Sequence, residues 1–137
     1  MDLTQTFPRS PKEKFAGLVH APRMVDKALA YKNKRLGEYI YPCPLDKVIL
    51  DFLGIKEKQF TKVAVENGDA GILDLVEQKC RDRSPEKIEA VNQQILQRQP
   101  KNEKRWKDFY EMRDKIDPTR TDINTWVGLI DLEEGRL

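Results

Sequence analysis

The chain reads as an all-α protein, a compact bundle of about six or seven short helices with an extended N-terminal segment. Three observations predict that class. Apolar residues recur at helical spacing from Met24 to Leu132. Helix-starting and helix-ending residues punctuate the chain at intervals of one short helix. The composition joins 39% hydrophobic with 35% charged residues, which suits helices with one buried face and an ionised outer surface.

The 137 residues are expected to form a single domain, 1–137, with 1–22 extended and packed on the bundle. Within that segment Ser10-Pro11-Lys12-Glu13 has the pattern of a capping box and predicts one short turn of helix, ended by Gly17. Pro22 precedes a first long helix over 23–36, striped by Val25, Ala28, Leu29 and Leu36 and closed by Gly37. The connector Glu38-Tyr39-Ile40-Tyr41-Pro42-Cys43-Pro44 is stiff and extended, because a residue before proline avoids the α region. A second helix is expected over 44–53, with Val48, Ile49, Phe52 and Leu53 inward and Gly54 as its stop. Phe60, Val63 and Ala64 predict a third helix over 57–66, ended by Asn67-Gly68. Asp69 is a good N-cap for a fourth, over 70–80, striped by Ile72, Leu73, Val76 and Cys80. Ser84-Pro85-Glu86 opens a fifth, over 85–98, and Pro100 ends that run. Trp106, Phe109, Met112 and Ile116 mark a sixth over 103–116. Ile123, Trp126, Val127 and Ile130 fall at i, i+3, i+4 and i+7 and predict a last helix over 122–133, capped by Thr121 or Asp122.

Composition also excludes function classes. The net charge of +2 is too mild to imply nucleic acid as a partner. Residues 1–36 carry eight Lys/Arg against three Asp/Glu, which reads either as a basic N-terminal face or as solvent-facing charge alone. The Arg105-Trp106-Lys107 stretch with Tyr110 and Arg113 has the mixture that stacks on single strands, but its helical spacing is explained by core packing. Two cysteines and one histidine are too few for a Cys/His zinc site, and no metal is expected. There is no Gly-rich phosphate loop, His-Glu-x-x-His, EF-hand loop or nucleophile elbow, and no cofactor is expected. The N-terminus lacks the pattern of a secretory leader, and no stretch approaches the apolar length of a membrane span. A cytoplasmic place with reduced thiols is the expectation.

The connector from Gly37 to Asp46 carries most of the chemical interest. With Pro44 as the first helical residue, Cys43 becomes the N-cap of the second helix. Free N–H groups and the positive end of the helix dipole lower the pKa of a thiol placed there. Cys43, Tyr39 and Glu38 are therefore the candidate catalytic residues, set against the alternative of a small buried cysteine. Arg23, Asp26 and Lys27 open the first long helix after His20, either as an anion clamp or as a solvated helix start. His20 itself reads as a hydrogen-bonded turn residue. Arg120 and Asp122 open the last helix and add to a polar cleft or merely cap it. The candidate ligand-binding set is Arg23, Asp26, Tyr41, Asp46, Arg120 and Asp122.

Four segments carry a family resemblance: Asp2-Leu3-Thr4 with Pro8-Arg9-Ser10-Pro11, Pro22 to Ala28, Gly37 to Asp46, and Arg120 to Trp126. Through them the chain resembles, over nearly its whole length, a bacterial family catalogued as a domain of unknown function (DUF5069). The resemblance implies one compact domain and supplies no reaction, cofactor or catalytic residue. Two functions from different classes follow. One is a non-enzymatic helical binding or adaptor domain with a protein partner, engaged through the basic N-terminal part and the Tyr39–Tyr41 connector. The alternative is a small enzyme or small-anionic-ligand binder, with Arg23 and Arg120 gripping an anion in a cleft beside Tyr39 and Cys43.

Overall fold

The computed structural model describes residues 1–137. Six helices make up most of it: α1 (Ala21–Lys32), α2 (Pro44–Leu53), α3 (Glu57–Cys80), α4 (Pro85–Leu96), α5 (Glu103–Ile116) and α6 (Trp126–Glu133). They are joined by one two-stranded antiparallel ribbon, β1 (Lys14–Phe15) with β2 (Leu18–Val19).

The N-terminal segment differs from expectation in one respect. The capping-box contacts form, with the Ser10 backbone N–H donating to Glu13 and the Lys12 N–H to Ser10 Oγ. They close a turn rather than a helix. Ala16 and Gly17 then both take positive φ, 48° and 82°, which is the geometry of a tight hairpin and diverts the chain into β1 and β2.

α1 is the centre of the molecule. Nine of its residues are buried, including the ionisable Arg23, Asp26 and Lys27, so the solvated helix start does not form. The helix ends at Lys32, short of the expected 36, where Lys34 turns to φ 57° and the Arg35 N–H reaches back to the Ala30 carbonyl. Leu18, Val19, Met24, Val25, Ile49, Phe60, Ile72, Val76 and Ile95 fill the main core around it.

The expected third and fourth helices meet end to end in α3, broken only at Gly68, whose φ 61° and ψ −149° lie outside the helical region. Glycine adopts that conformation without steric cost, so the Asn67-Gly68 signal produces a kink instead of a loop. α6 starts four residues later than expected. Thr125, not Thr121 or Asp122, is its N-cap and accepts from the Gly128 N–H. α5 and α6 enclose a small second core of Phe109, Ile123, Leu129 and Leu132, flanked by Trp106 and Trp126. No helix is long and apolar enough to cross a membrane.

Candidate functional site

His20, at the N-cap of α1, stands three and seven residues before Arg23 and Lys27. That spacing puts the three side chains on one face of the helix. All three line a cleft of about 840 Å³, walled by the N-terminal segment, the connector from Gly37 to Leu45, and the end of α6. His20 holds a left-handed conformation at φ 74° and is fully buried. A non-glycine residue strained in this way, at a cleft wall, is a feature typical of functional sites.

The connector brings the second half of the site. The Tyr41–Pro42 bond is cis, and Pro44 is the first residue of α2, so Cys43 is its N-cap. Asp46, one turn on and fully buried, reaches back to accept from the Cys43 N–H at 2.8 Å. The same carboxylate binds His20 Nε2 at 2.6 Å through one oxygen and Lys27 Nζ at 2.6 Å through the other. Lys27 Nζ also donates to Cys43 Sγ at 3.2 Å. His20 Nδ1 has no partner in the protein.

The electrostatics follow from this packing. Burial and the charge of Asp46 would raise the Cys43 pKa, but the imidazole of His20 and the ammonium of Lys27 outweigh them, and the thiol lies below its ordinary value. Burial would lower that of His20, yet the bond to Asp46 and the nearby Cys43 push it up. Burial would raise the pKa of Asp46 too, yet His20 and Lys27 hold it far below the usual carboxylate range. The directions are those of a thiolate sharing charge with an imidazolium.

His20, Cys43 and Asp46 each bring a donor atom within 4.8 Å of the others, a set that could hold a metal ion. The Lys27 ammonium already bonds both Asp46 and Cys43, so the place of a cation between them is taken by a side chain. A metal would have to displace it.

The far wall of the cleft is a second buried network. Arg23 grips Glu134 through both terminal nitrogens, at 2.8 and 2.9 Å, and its guanidinium lies over the Tyr39 ring at 5.4 Å. The Tyr39 hydroxyl donates to Glu134 at 2.8 Å. Arg136 binds Glu134 and Asp131 from the other side.

Of the candidates taken from sequence, Cys43, Tyr39, Glu38, Arg23 and Asp46 converge on this region. Asp26 faces away and binds Arg9, through its backbone N–H at 2.8 Å and its guanidinium. Tyr41 turns to Thr61 at 2.9 Å and lines a smaller cavity of about 330 Å³ that contains no cysteine or histidine. Arg120 and Asp122 pair with each other, at 3.0 and 3.1 Å, outside the cleft. The expected clamp of Arg23 with Arg120 is therefore not assembled, because the late start of α6 leaves both Arg120 and Asp122 in the preceding turn. Glu133 and Glu134 were absent from the sequence candidates, His20 entered only as a turn residue, and Lys27 only as a member of the anion clamp. The polar stripe His20, Arg23, Lys27 at spacings of three and four was a signal for His20 and Lys27.

A model of the family described as a domain of unknown function (DUF5069) matches residues 5–136. No curated protein matches the chain.

Proposed function

The chain belongs to the DUF5069 family, whose description names no activity, and we propose from its own geometry that it is a small thiol-dependent enzyme acting on a small molecule in the α1–connector cleft. One observation carries this reading: Cys43 Sγ sits on a helix N-terminus, 3.2 Å from Lys27 Nζ and beside a His20–Asp46 pair, at the wall of an open cleft.

The roles follow from the contacts. Asp46 accepts Nε2–H of His20, orients the ring and leaves Nδ1 as the free base. Nδ1 makes no hydrogen bond to Sγ, so the thiol proton passes to the imidazole through one water, and Lys27 stabilises the sulfur anion. The bond from sulfur to an electrophilic carbon forms as the bond to the leaving group breaks. The imidazole returns its proton to the departing group; it then takes a proton from an attacking water, whose oxygen bonds the carbon as the carbon–sulfur bond breaks and the thiolate leaves. Two free cysteines accord with a reducing, cytoplasmic setting.

The test is alkylation of folded protein with neutral iodoacetamide across pH, read by mass spectrometry at Cys43 and Cys80. Cys43 is expected to react with a midpoint below the ordinary thiol value of about 8.5, and Cys80, whose pKa burial raises, more slowly. Reaction of Cys43 only on unfolding would remove the nucleophile and the reading with it.

A second reading, a non-enzymatic binding domain for a protein partner, rests on Phe7 and Ile40, which are 53% and 69% exposed at the rim of the same cleft. Replacing both by Ser and finding no loss of any captured partner would count against it.

A further inference from the structure

The contact that activates Cys43 also joins two nucleophiles. Lys27 Nζ lies 3.2 Å from Cys43 Sγ, within the separation of about 3–3.5 Å at which two groups are placed to react. Neither partner is free to drift. Lys27 is 2% exposed, and Asp46 fixes its ammonium at 2.6 Å; an exposed lysine would lose such a contact to its own side-chain freedom. Cys43 is held by Pro44, which opens α2 behind it, and by its N–H bond to Asp46. The sulfur is nevertheless reachable, because Cys43 is only half-buried and lines the cleft. The second thiol of the chain, Cys80, ends α3 in the main core and does not line the cleft. The usual fate of an oxidised cysteine is capture by a neighbouring thiol, and the other is capture by a nitrogen. At Cys43 the group in contact with the sulfur is an amine.

We propose that Lys27 and Cys43 form a reversible covalent bridge, a sulfenamide, when a small hydroperoxide enters the cleft. The Cys43 thiolate attacks one oxygen of hydrogen peroxide: the S–O bond forms, the O–O bond breaks and hydroxide leaves. Sulfur is oxidised by two electrons and the peroxide is reduced. The hydroxide takes a proton from the Lys27 ammonium, giving water and a free amine. The amine attacks sulfur, the S–N bond forms as the S–O bond breaks, and the second hydroxide leaves with another proton of the nitrogen. Thiolate, ammonium and one hydrogen peroxide thus become a neutral bridge and two waters. A small thiol reverses it. Attack on sulfur breaks the S–N bond and returns the amine, and a second thiol frees Cys43 from the mixed disulfide as a small disulfide departs. The bridge ties α1 to the start of α2 and removes both the nucleophile and its cation. It goes beyond the thiol-enzyme reading and shares with it only the accessible sulfur, for which it supplies an oxidised, closed state.

The experiment treats the folded full chain with hydrogen peroxide, removes the peroxide with catalase and reads intact and peptide masses. The expected product has lost two hydrogens and gained no oxygen, and its digest contains one linked peptide pair joining Lys27 to Cys43. Iodoacetamide labelling of Cys43 is lost in that product and returns after dithiothreitol. A Cys43–Cys80 disulfide also loses two hydrogens, so the Cys80→Ser variant decides between them: the product must persist there. In Lys27→Arg the linked pair is expected to vanish, and Cys43 to gain oxygen instead. Urea gives the same contrast without a variant, since unfolding separates Nζ from Sγ and the linked pair should not form. Oxygen adducts on Cys43 of the folded chain with no linked pair, or a product that disappears in Cys80→Ser, would overturn the bridge. Labelling of untreated Cys43 by iodoacetamide in that same case would leave the nucleophile standing, whereas failure of both labelling and bridging would overturn both readings.

Discussion

At the scale of single residues, the site is a set of buried charges that depend on one another. Asp46 is the common partner: it accepts from His20, Lys27 and the Cys43 N–H at once. A buried carboxylate survives only when its lone pairs are met in this way. Lys27 is equally buried and binds two groups. Replacing it as Lys27→Met leaves Asp46 short of one counter-charge and Cys43 without its ammonium. The midpoint for Cys43 alkylation is expected to rise toward the ordinary thiol value. Stability is expected to fall by about 3–5 kcal/mol, the usual effect of removing one member of a buried pair. Urea unfolding and pH-resolved labelling on the same variant separate the two effects, and an unmoved midpoint would leave Lys27 with a purely structural role.

At the scale of elements, two backbone positions decide where the site residues go. His20 ends the ribbon and starts α1, so its left-handed conformation sets the direction from which α1 enters the core. Gly37 does the corresponding work at the cleft rim. It has φ 61°, and a Cβ added there would lie 3.2 Å from the Leu3 carbonyl oxygen. Any side chain at that position meets both a strained φ and the N-terminal segment. Gly37→Ala is expected to cost about 1–2 kcal/mol and to loosen Leu3, whose backbone N–H donates to Arg35 O. Amide exchange at Leu3 faster than in the parent chain is the expected sign, and unchanged protection would show that the rim can yield. Gly68 in α3 has a similar φ but nothing within 4 Å of an added Cβ, so Gly68→Ala is expected to incur the φ strain without the collision.

At the scale of the molecule, the two ends of the chain are tied through the same polar groups that wall the cleft. Ser10 Oγ donates to Asp131 at 3.0 Å, Arg136 donates to the Pro8 carbonyl, and Arg23 joins α1 to Glu134. We expect residues 1–137 to unfold in one transition for that reason. Acid should weaken it. Asp46 and Glu134 are both carboxylates with pKa values below their ordinary ones: burial opposes the shift in each, and it is overcome by His20 and Lys27 for Asp46 and by Arg23 for Glu134. A group whose folded pKa is depressed contributes stability above its unfolded pKa and loses it as pH falls through the folded one. Denaturant midpoints are expected to drop below about pH 4.5, and Glu134→Gln should flatten part of that fall. A midpoint independent of pH in that range would mean that these pairs add nothing net.

Helices are local enough to be read from the chain. Spacing of apolar residues, the prolines at the starts of α1, α2 and α4, and the Ser84 cap each act within one turn, so the helical class and most element positions were legible. Cys43 as an N-cap was legible for the same reason, since Pro44 alone places it. The boundaries that moved did so where a local backbone conformation or a different cap prevailed, as at Lys34, Gly68 and Thr125. What only the tertiary structure decided is which charges meet. His20 lies 26 residues from Asp46, and Arg23 lies 111 from Glu134. Nothing in local spacing pairs groups at such separations, and burial of both partners, which turns a weak surface pair into a strong one, exists only once the core has closed.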